Sequence, residues 1–494
     1  MSERKISRRK VLGIIGGVAA AAVIGGVSYY YLSGIPQIAR TQTSRTKVTG
    51  GKLWLVTEKG WYKEEEEAKK WLALAFKKQT GIEIELSSLS QEDVLKKVSS
   101  GAMAGNPPDA AFCWTLDWLP EYGWKGWVED MSEYIDKLKE LDVPEWAIEG
   151  AHWYDGVEKK RILAYIPYVA SNIPIHYWSD ILEEIGMPTD PEEIPMKFDE
   201  FTNFWKEAQD KLWKKDPSAK GKTYGIGWPS MGGIGSNPGD GYQQLMHILL
   251  WHGWVLERDS KGLVKVYRPE NVNCLKRIIK WFVDLYNADY MPDGILEWGS
   301  PDNNKAFHAK NIISVFNGTM SIPLYWWGQD KTVYYDKTKT LPRFPSETGA
   351  PGAAMFQVSG WYVYKAGKVE LVKKFLDWFL DPDVINAFLK AQGGRGFPIA
   401  RAVLESDPFW KEGFSTEEKR DPHLPTVYEM LKSDVAMSHM AQWFGHPWNY
   451  LDAYPMAAIH KVVRGEMSED EAAEWALKSW QDYLDKYQNE VKKW

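Results

Sequence analysis

The segment from residue 52 to residue 113 alternates between strand-like and helix-like patterns, and this alternation constrains the fold more than any other feature. Two amphipathic helices are predicted here, the first with an apolar stripe that includes Trp71 and the second capped by Ser90. Three apolar runs have the length and residue types of buried strands: 52–57, 82–86 and 110–113. Strand, helix, strand, helix, strand predicts a parallel sheet with right-handed crossovers.

The carboxyl ends of these strands are the predicted position of a ligand site, because open parallel sheets bind ligands beyond the carboxyl ends of their strands. Glu58 and Trp61 follow the first strand, and Trp114 and Asp117 follow the third. We therefore expect these four side chains to face a common cleft.

A second constraint is the stretch between Ile162 and Ala208. Pro167 divides its first part into two apolar runs, and the residue before a proline is pushed towards extended geometry. A short helix over 179–185 ends at Gly186, a C-cap signal, and an amphipathic helix begins near Phe198. The pattern predicts an extended segment followed by two helices.

Several short motifs occur here in an order and spacing that resemble the sugar-type extracellular solute-binding proteins of ABC importers (family 1, similar to maltose-binding proteins). The segment Phe76–Ile82 is similar to the family's F-x-x-x-T-G-I/V joint, and Gly105–Asp109 to its G-x-x-P-D turn. Phe198–Phe201 resembles the end of its T-W-D-E-F motif, but Lys197 replaces the threonine that would cap the helix. The resemblance covers about residues 52–486.

The resemblance implies an α/β chain with a two-lobe, periplasmic-binding-protein-like fold of type II. Each lobe is then a mixed, mostly parallel sheet flanked by helices, and a hinge joins the lobes. The expected division is 1–33 export signal or membrane anchor, 34–51 linker, 52–166 with 306–355 first lobe, and 167–305 with 356–494 second lobe.

Length and charge narrow the class of protein further. A chain of 494 residues is too long for one ordinary core, so two or more lobes are expected. The net charge of −7, from 60 basic and 67 acidic residues, disfavours a nucleic-acid binder. Cys113 and Cys274 are the two cysteines, so no disulfide framework exists, although one pairing stays open.

The amino terminus has the character of an export signal or an anchor. Val11–Leu32 carries no charge and would span roughly 33 Å as a helix, enough to cross a bilayer. Arg8-Arg9 precedes it and resembles the twin-arginine export signal. Since positive charges lie before the apolar segment, the bulk of the chain is expected outside the cytoplasm. We expect an uncleaved anchor, with a cleaved, secreted form as the alternative.

The 27 tryptophans indicate both aromatic cores and a ligand that stacks on indole. A pyranose ring has apolar C–H faces that stack on indole, while its hydroxyl groups require hydrogen-bond partners; small-molecule sites combine both kinds of group. The predicted ligand-binding side chains are Trp114, Trp361, Trp228, Trp326, Trp327, Glu58, Trp61, Asp117, Tyr168, Asn317 and Arg395.

Catalytic and metal-binding motifs are not recognisable, so neither a catalytic residue nor a metal nor a cofactor is predicted. Gly221-Lys222-Thr223 lacks the earlier glycine of a phosphate-binding loop, because position 216 is Asp. The histidine pairs do not form a recognisable set of metal ligands. Carboxylates are plentiful, however, and sequence alone does not exclude a glycosidase pair.

The resemblance and the tryptophans together predict an extracytoplasmic, monomeric protein that binds carbohydrate, an oligosaccharide above all, for an ABC importer. Its expected partners are the carbohydrate and the permease subunits in the membrane, and not nucleic acid. Two alternatives remain: a binder of another solute such as a peptide on the same scaffold, and a surface glycan-processing enzyme.

Overall fold

The computed structural model describes residues 51–116, 119–172, 174–255, 264–341, 346–347, 354–432, 435–437 and 452–491. The strands in these ranges are β1 (Lys52–Glu58), β2 (Glu83–Leu89), β3 (Ala110–Phe112), β4 (His152–Asp155), β5 (Lys160–Leu163), β6 (Tyr165–Asn172), β7 (Ile175–Trp178), β8 (Tyr224–Ile226), β9 (Ile312–Phe316), β10 (Thr338–Thr340), β11 (Ala354–Val363), β12 (Phe397–Pro398) and β13 (Val435–Met437).

The α-helices in the same ranges are α1 (Lys63–Thr80), α2 (Gln91–Met103), α3 (Glu121–Trp124), α4 (Ile135–Glu140), α5 (Glu145–Gly150), α6 (Ser179–Glu184), α7 (Phe198–Lys215), α8 (Gly239–Trp251), α9 (Pro269–Asn287), α10 (Asp302–His308), α11 (Ser321–Gln329), α12 (Val369–Phe379), α13 (Pro382–Ala391), α14 (Arg401–Leu404), α15 (Phe409–Glu412), α16 (Leu424–Lys432), α17 (Tyr454–Val463) and α18 (Glu469–Val491).

The larger sheet has the strand order β12-β6-β11-β3-β1-β2, and β13 also pairs with β11. β1 lies between β2 and β3 and is parallel to both, with the amphipathic helices α1 and α2 in the crossovers. This part confirms the predicted strand and helix alternation. Ser90 caps α2 as predicted, since its hydroxyl accepts a hydrogen bond from the Asp93 N–H.

The smaller sheet has the order β10-β7-β9-β8. β7 is antiparallel to β9 and β10, whereas β8 is parallel to β9. Helix α7 packs its buried Phe201 and Trp205 towards this sheet. Lys197 at the N-terminus of α7 makes no side-chain capping bond, as its replacement of threonine predicted. β4 and β5 form a separate, two-stranded antiparallel sheet. The larger and the smaller sheet with their helices form the expected mixed α/β architecture of two lobes.

Neither sheet is mostly parallel, which corrects the expectation for the lobes. In the larger sheet, β11 is antiparallel to β3 and β6, and β12 is antiparallel to β6. The motifs near the start of the chain contain only the parallel β1–β3 unit. The antiparallel strands return to the sheet from distant parts of the chain, and local sequence patterns carry no signal for their direction.

Strand pairing also divides the chain differently from the expected lobe boundaries. β9 lies within 306–355, which was expected in the first lobe, but it pairs with β7 and β8 in the smaller sheet. β11 begins at Ala354 and was expected to enter the second lobe, but it pairs with β3 and β6 in the larger sheet. The larger sheet therefore takes strands from 52–172 and 354–437, and the smaller sheet from 175–340.

The chain passes between the two sheets three times, after β6, after β10 and after β13. The first passage is the shortest, because only Ile173 and Pro174 separate β6 from β7. After the third, α17 and α18 pack against α9 beside the smaller sheet. The indole rings of Trp254 and Trp480 lie 6.0 Å apart there and help to fix α18.

The predicted anchor at 11–32 lies outside the described residues, and so does the predicted linker apart from Gly51. Among the helices of the described ranges, none combines the length and the apolar character that a bilayer crossing requires.

Candidate functional site

A cleft lies where strand ends of the larger sheet meet the turn after β9 and the start of α8. Its empty space amounts to about 340 Å³, part of which is open to solvent. The larger-sheet lobe contributes Trp61, Gln91, Trp114, Thr115, Gln357 and Arg395. The smaller-sheet lobe contributes Asp240, Gln243, Ser300, Asn304, Asn317, Gly318, Thr319 and Ser321.

Direct hydrogen bonds connect the two walls of this cleft. Gln243 Nε2 on α8 donates to Gln357 Oε1 on β11 at 2.6 Å, and Gln357 Nε2 donates to the Trp114 carbonyl oxygen. The Met320 N–H donates to the Arg395 carbonyl oxygen at 3.1 Å. Gln243 Oε1 is buried and accepts no hydrogen bond among the described residues. The wall of the cleft thus contains a buried acceptor that has no donor in the described part of the chain.

Arg395 forms a buried ionic cluster with two carboxylates of the same lobe. Its NH1 donates to Glu65 Oε1 at 2.7 Å and its NH2 to Glu58 Oε1 at 2.8 Å. Burial disfavours the guanidinium charge, but the charges of Glu65 and Glu58 outweigh that cost and raise the pKa of Arg395 above its ordinary value. Arg395 Nε also donates to Thr319 Oγ1 at 3.3 Å, so the cluster reaches across the cleft.

Asp240, in the first turn of α8, is the acidic group of the opposite wall. Its Oδ1 accepts a hydrogen bond from Ser300 Oγ at 3.1 Å and its Oδ2 one from Asn303 Nδ2 at 3.3 Å. Burial raises the pKa of the Asp240 carboxyl to about 6, although these two hydrogen bonds favour its charged form. Nearby charges act in opposite directions, since Glu58 raises this pKa and Arg395 lowers it.

Asn317 shapes the turn that follows β9. Its Nδ2 donates to the Thr319 carbonyl oxygen at 2.6 Å and to Ser321 Oγ at 3.0 Å, while its Oδ1 accepts from Asn303 Nδ2 at 3.3 Å. The side-chain amide is therefore fully engaged within its own lobe. Asn317 thereby fixes the turn that carries Thr319 to the cleft, and both hydrogens of its amide are already used.

Two tryptophans give the cleft apolar surface. The guanidinium carbon of Arg395 lies 5.7 Å from the ring centre of Trp114. Trp114 is only 6% exposed. Trp61 is partly exposed, and its backbone N–H donates to Glu65 Oε2 at 2.6 Å. The backbone of Trp61 and the indole of Trp114 thus both contact the ionic cluster of Arg395.

Five of the predicted ligand-binding residues occur together at this cleft. Trp61, Trp114, Asn317 and Arg395 line it, and Glu58 lies directly behind Arg395. Each follows a strand end or precedes a strand, which is the position that the sheet topology favours. Asp117 lies outside the described residues.

Trp361 and Tyr168 occupy the core of the larger lobe instead of the cleft. Trp361 is 1% exposed and packs edge-on against Phe375 and Phe379 of α12, at 5.3 and 6.0 Å. Tyr168 is 2% exposed and stacks on Trp361 at 6.1 Å. Both lie within central strands, and their side chains point to the face that α12 covers.

The three remaining tryptophans also lie away from the cleft. Trp228 has no exposed surface and stacks on Trp281 at 5.6 Å in the core of the smaller lobe. Trp326 and Trp327 lie on α11, which the sequence did not predict as a helix; Trp327 stacks on Phe414 at 3.8 Å. A helix turns these indoles away from the turn at Asn317 that precedes it.

Sequence reasoning missed several polar residues that line the cleft. Asp240 and Gln243 lie on α8, which begins at Gly239. A helix that follows a glycine-rich loop directs its first turn towards a cleft, and this signal could have identified Asp240. Gln357 gave no signal, because an amide inside a long apolar strand has no recognisable motif.

No cluster of three metal-binding side chains occurs in the described part of the chain. Cys113 and Cys274 are both buried and free in this structure. Cys113 belongs to the larger lobe, where its sulfur lies 3.6 Å from Glu58 Oε2. Cys274 is on α9 and donates to the Leu249 carbonyl oxygen at 3.3 Å.

Comparisons with solved structures support the architecture. A solute-binding protein of an ABC transporter from Thermotoga lettingae, bound to α-D-tagatose, has a TM-score of 0.65 and 18% identity, covering 88% of this chain and all of that one. Maltose-bound MalE3 from T. maritima has a TM-score of 0.66 and 17% identity, with the same coverage. The cyclic α-maltosyl-1,6-maltose binding protein of Arthrobacter globiformis has a TM-score of 0.61 and 19% identity, covering 88% and 100%.

The sequence itself identifies the family. No curated protein sequence matches this chain. The family model described as bacterial extracellular solute-binding protein, however, matches residues 71–426, which is most of the chain and includes segments of both sheets. The chain belongs to the family of bacterial extracellular solute-binding proteins.

Proposed function

We propose that this chain captures a carbohydrate, an oligosaccharide above all, in the cleft between its lobes and delivers it to the permease of an ABC importer. Membership of the family implies an extracytoplasmic location. The observation that carries the proposal is the lining of the cleft, where two indoles adjoin hydroxyl, amide and carboxylate groups from both lobes.

The chemistry of the lining suits a polyhydroxyl ligand. Trp61 and Trp114 offer apolar surface for the C–H faces of a sugar ring, and polar groups that fix orientation surround them. Gln243 Oε1 is a buried acceptor without a partner in the described residues, and a sugar hydroxyl can supply the missing donor. The solute-binding proteins compared above carry tagatose and maltose, which agrees with this ligand class.

The ionic cluster argues against a peptide as the ligand. A peptide carboxylate needs a cation, and Arg395 is the only cationic side chain among the described residues that line the cleft. Glu58 and Glu65 already neutralise it. Binding of peptides but not of sugars would refute this argument and favour a peptide ligand.

An enzyme acting on glycans would need two carboxyl groups on either side of the bond that it cleaves. The raised pKa of Asp240 suits a general acid. The nearby Glu58 and Glu65, however, are both bound to Arg395, which leaves Asp240 without a free carboxylate partner across the cleft. Release of shortened products from an oligosaccharide would establish the alternative hypothesis of a glycan-processing enzyme.

The uncharged segment 11–32 is proposed as an uncleaved membrane anchor, followed by a linker. Such an anchor keeps the binding lobes close to the permease. Membrane fractionation tests it, because deletion of residues 11–32 should move the protein from the membrane to the soluble fraction.

The two lobes supply both walls of the cleft from one chain, so we expect a monomer by light scattering.

The ligand is tested with the full chain, purified in a detergent that has no sugar headgroup. Thermal unfolding and calorimetric titration are measured against maltotriose, mannotriose, laminaribiose, a mixed peptide library and divalent metals. A saccharide at about a hundred times its Kd should stabilise the protein by about 2.7 kcal/mol. Stabilisation by peptides or metals alone would refute the carbohydrate assignment.

A further inference from the structure

The charges at the cleft are unequal, and this imbalance bears on which saccharides the cleft accepts. Arg395 is the only cation among the described lining residues. Three carboxylates surround it or face it: Glu58 and Glu65 within its own lobe and Asp240 on the opposite wall. When all are ionised, the group carries an excess of two negative charges.

Arg395 is a poor site for an anion, because its charge is shared by two carboxylates and three of its five N–H donors already hold hydrogen bonds. The acceptors are Glu65, Glu58 and Thr319, at 2.7, 2.8 and 3.3 Å. The side chains of Arg395, Glu58 and Glu65 are 6%, 5% and 1% exposed. Turning Arg395 towards a ligand would leave a buried carboxylate without its cation, which is strongly unfavourable.

Both carboxylates of the cluster accept a further hydrogen bond from a residue that lines the cleft. Glu58 Oε2 accepts from Gln91 Nε2 at 3.1 Å, and Glu65 Oε2 accepts from the backbone N–H of Trp61 at 2.6 Å. These contacts fix the cluster as a rigid, negatively charged wall.

Asp240 has no cationic partner within 4 Å in the described part of the chain. Neutral donors, Ser300 and Asn303, hold its two oxygens. Its carboxylate lines the cleft and can accept a hydrogen bond from a sugar hydroxyl. A carboxylate or sulfate on a sugar placed there would instead meet a like charge, with no free cation to offset it.

We propose that the cleft selects neutral saccharides and rejects acidic ones, such as uronates and sulfated sugars, and that Asp240 is the residue that sets this specificity. The proposal rests on the proposed function, since it names the class of carbohydrate that the same cleft takes. Rejection by like charge is a way to gain specificity without any additional contact to the accepted ligand.

The test compares matched pairs of a neutral saccharide and an acidic derivative of the same saccharide. Maltotriose, mannotriose and laminaribiose are each paired with a counterpart in which one C6 alcohol is oxidised to the carboxylate. Calorimetric titration of the full chain at pH 7.5 measures both affinities. We expect the acidic member of the pair that binds best to bind at least tenfold more weakly than the neutral member.

A substitution at Asp240 then tests which residue is responsible. Asp240→Asn removes the charge at nearly constant size, and the ratio of neutral to acidic affinity should fall by about tenfold. The matched control is Asp284→Asn on α9, where a 61% exposed carboxylate pairs with Lys280 away from the cleft. The control should leave the ratio unchanged, and thermal unfolding checks that both variants fold.

The outcomes separate the inference from the proposed function. Equal binding of neutral and acidic members overturns the inference and leaves a carbohydrate-binding protein. An unchanged ratio in a folded Asp240→Asn variant overturns the role of Asp240. If neither member of any pair binds, the proposed function fails, and the inference fails with it.

Discussion

Replacing Arg395 by methionine is the sharpest test of the ionic cluster that forms one wall of the cleft. Methionine is also a long, unbranched side chain, but it carries no charge and donates no hydrogen bond to a carboxylate. The substitution therefore leaves Glu58 and Glu65 in place without their common cation. Both are almost fully buried, so water cannot replace the lost partner.

The magnitude follows from the burial and the number of bonds. Removing one partner of a buried ion pair costs about 3–5 kcal/mol, because the remaining charge is uncompensated. Here one substitution removes two short bonds, of 2.7 and 2.8 Å, to two different carboxylates. We expect Arg395→Met to lower the free energy of unfolding by at least about 3–5 kcal/mol at pH 7.

Urea unfolding of the full chain, followed by tryptophan fluorescence, measures the loss. The triple variant Glu58→Gln, Glu65→Gln, Arg395→Met should recover most of it, since the two amides need no cation. Arg161→Met is the matched control: its pair with Glu149 is 36% and 38% exposed, so the loss should stay below about 1 kcal/mol.

Two results would refute this reasoning. One is a loss for Arg395→Met as small as that of Arg161→Met. The other is a triple variant no more stable than Arg395→Met, because the cost would then not arise from unpaired carboxylates.

Three further predictions concern the cleft and the core. Gln243→Leu should weaken binding of the best saccharide roughly 10- to 100-fold by calorimetry, since it removes the free acceptor and the bond to Gln357; Gln329→Leu at the exposed end of α11 should not. Burial raises the pKa of Asp240 to about 6 from an ordinary 3.8, so its carboxyl destabilises the fold above pH 6 and not below about pH 4. In urea unfolding, the free energy of unfolding of Asp240→Asn should therefore exceed that of the parent by about 3 kcal/mol at pH 7 and by less than about 1 kcal/mol at pH 4; a gain that does not change with pH contradicts this. Trp361→Ala should lower the free energy of unfolding by about 3–5 kcal/mol, because it truncates a core side chain. A stable variant that loses saccharide binding would show instead that Trp361 contacts the ligand.

Local patterns predicted the first part of the fold well. The apolar runs that became β1 and β3, and the cap at Ser90, depend on neighbouring residues alone, and the structure has them as expected. Sheet membership of β9 and β11 was wrong because strand pairing over long distances leaves no local trace. Both segments are apolar strands that either sheet could bury.

The site was predicted in part for the same physical reason. Residues next to strand ends, such as Trp114 and Arg395, follow from topology, and they line the cleft. Trp361 and Trp228 were placed there because tryptophan suits both a sugar and a core, and sequence does not show which face of a strand a helix will cover. Because both side chains are almost fully buried, the structure places them in the core.

The position of β11 has a consequence for how the chain folds as it is made. β11 separates β3 from β6 in the larger sheet, yet residues 354–363 are synthesised after all four strands of the smaller sheet. Until then β3 and β6 have open edges, which favour pairing with other chains. Domains usually fold from the amino terminus during synthesis. Here we expect the smaller sheet to form first. The larger sheet, although it contains the first strands of the chain, is then completed last.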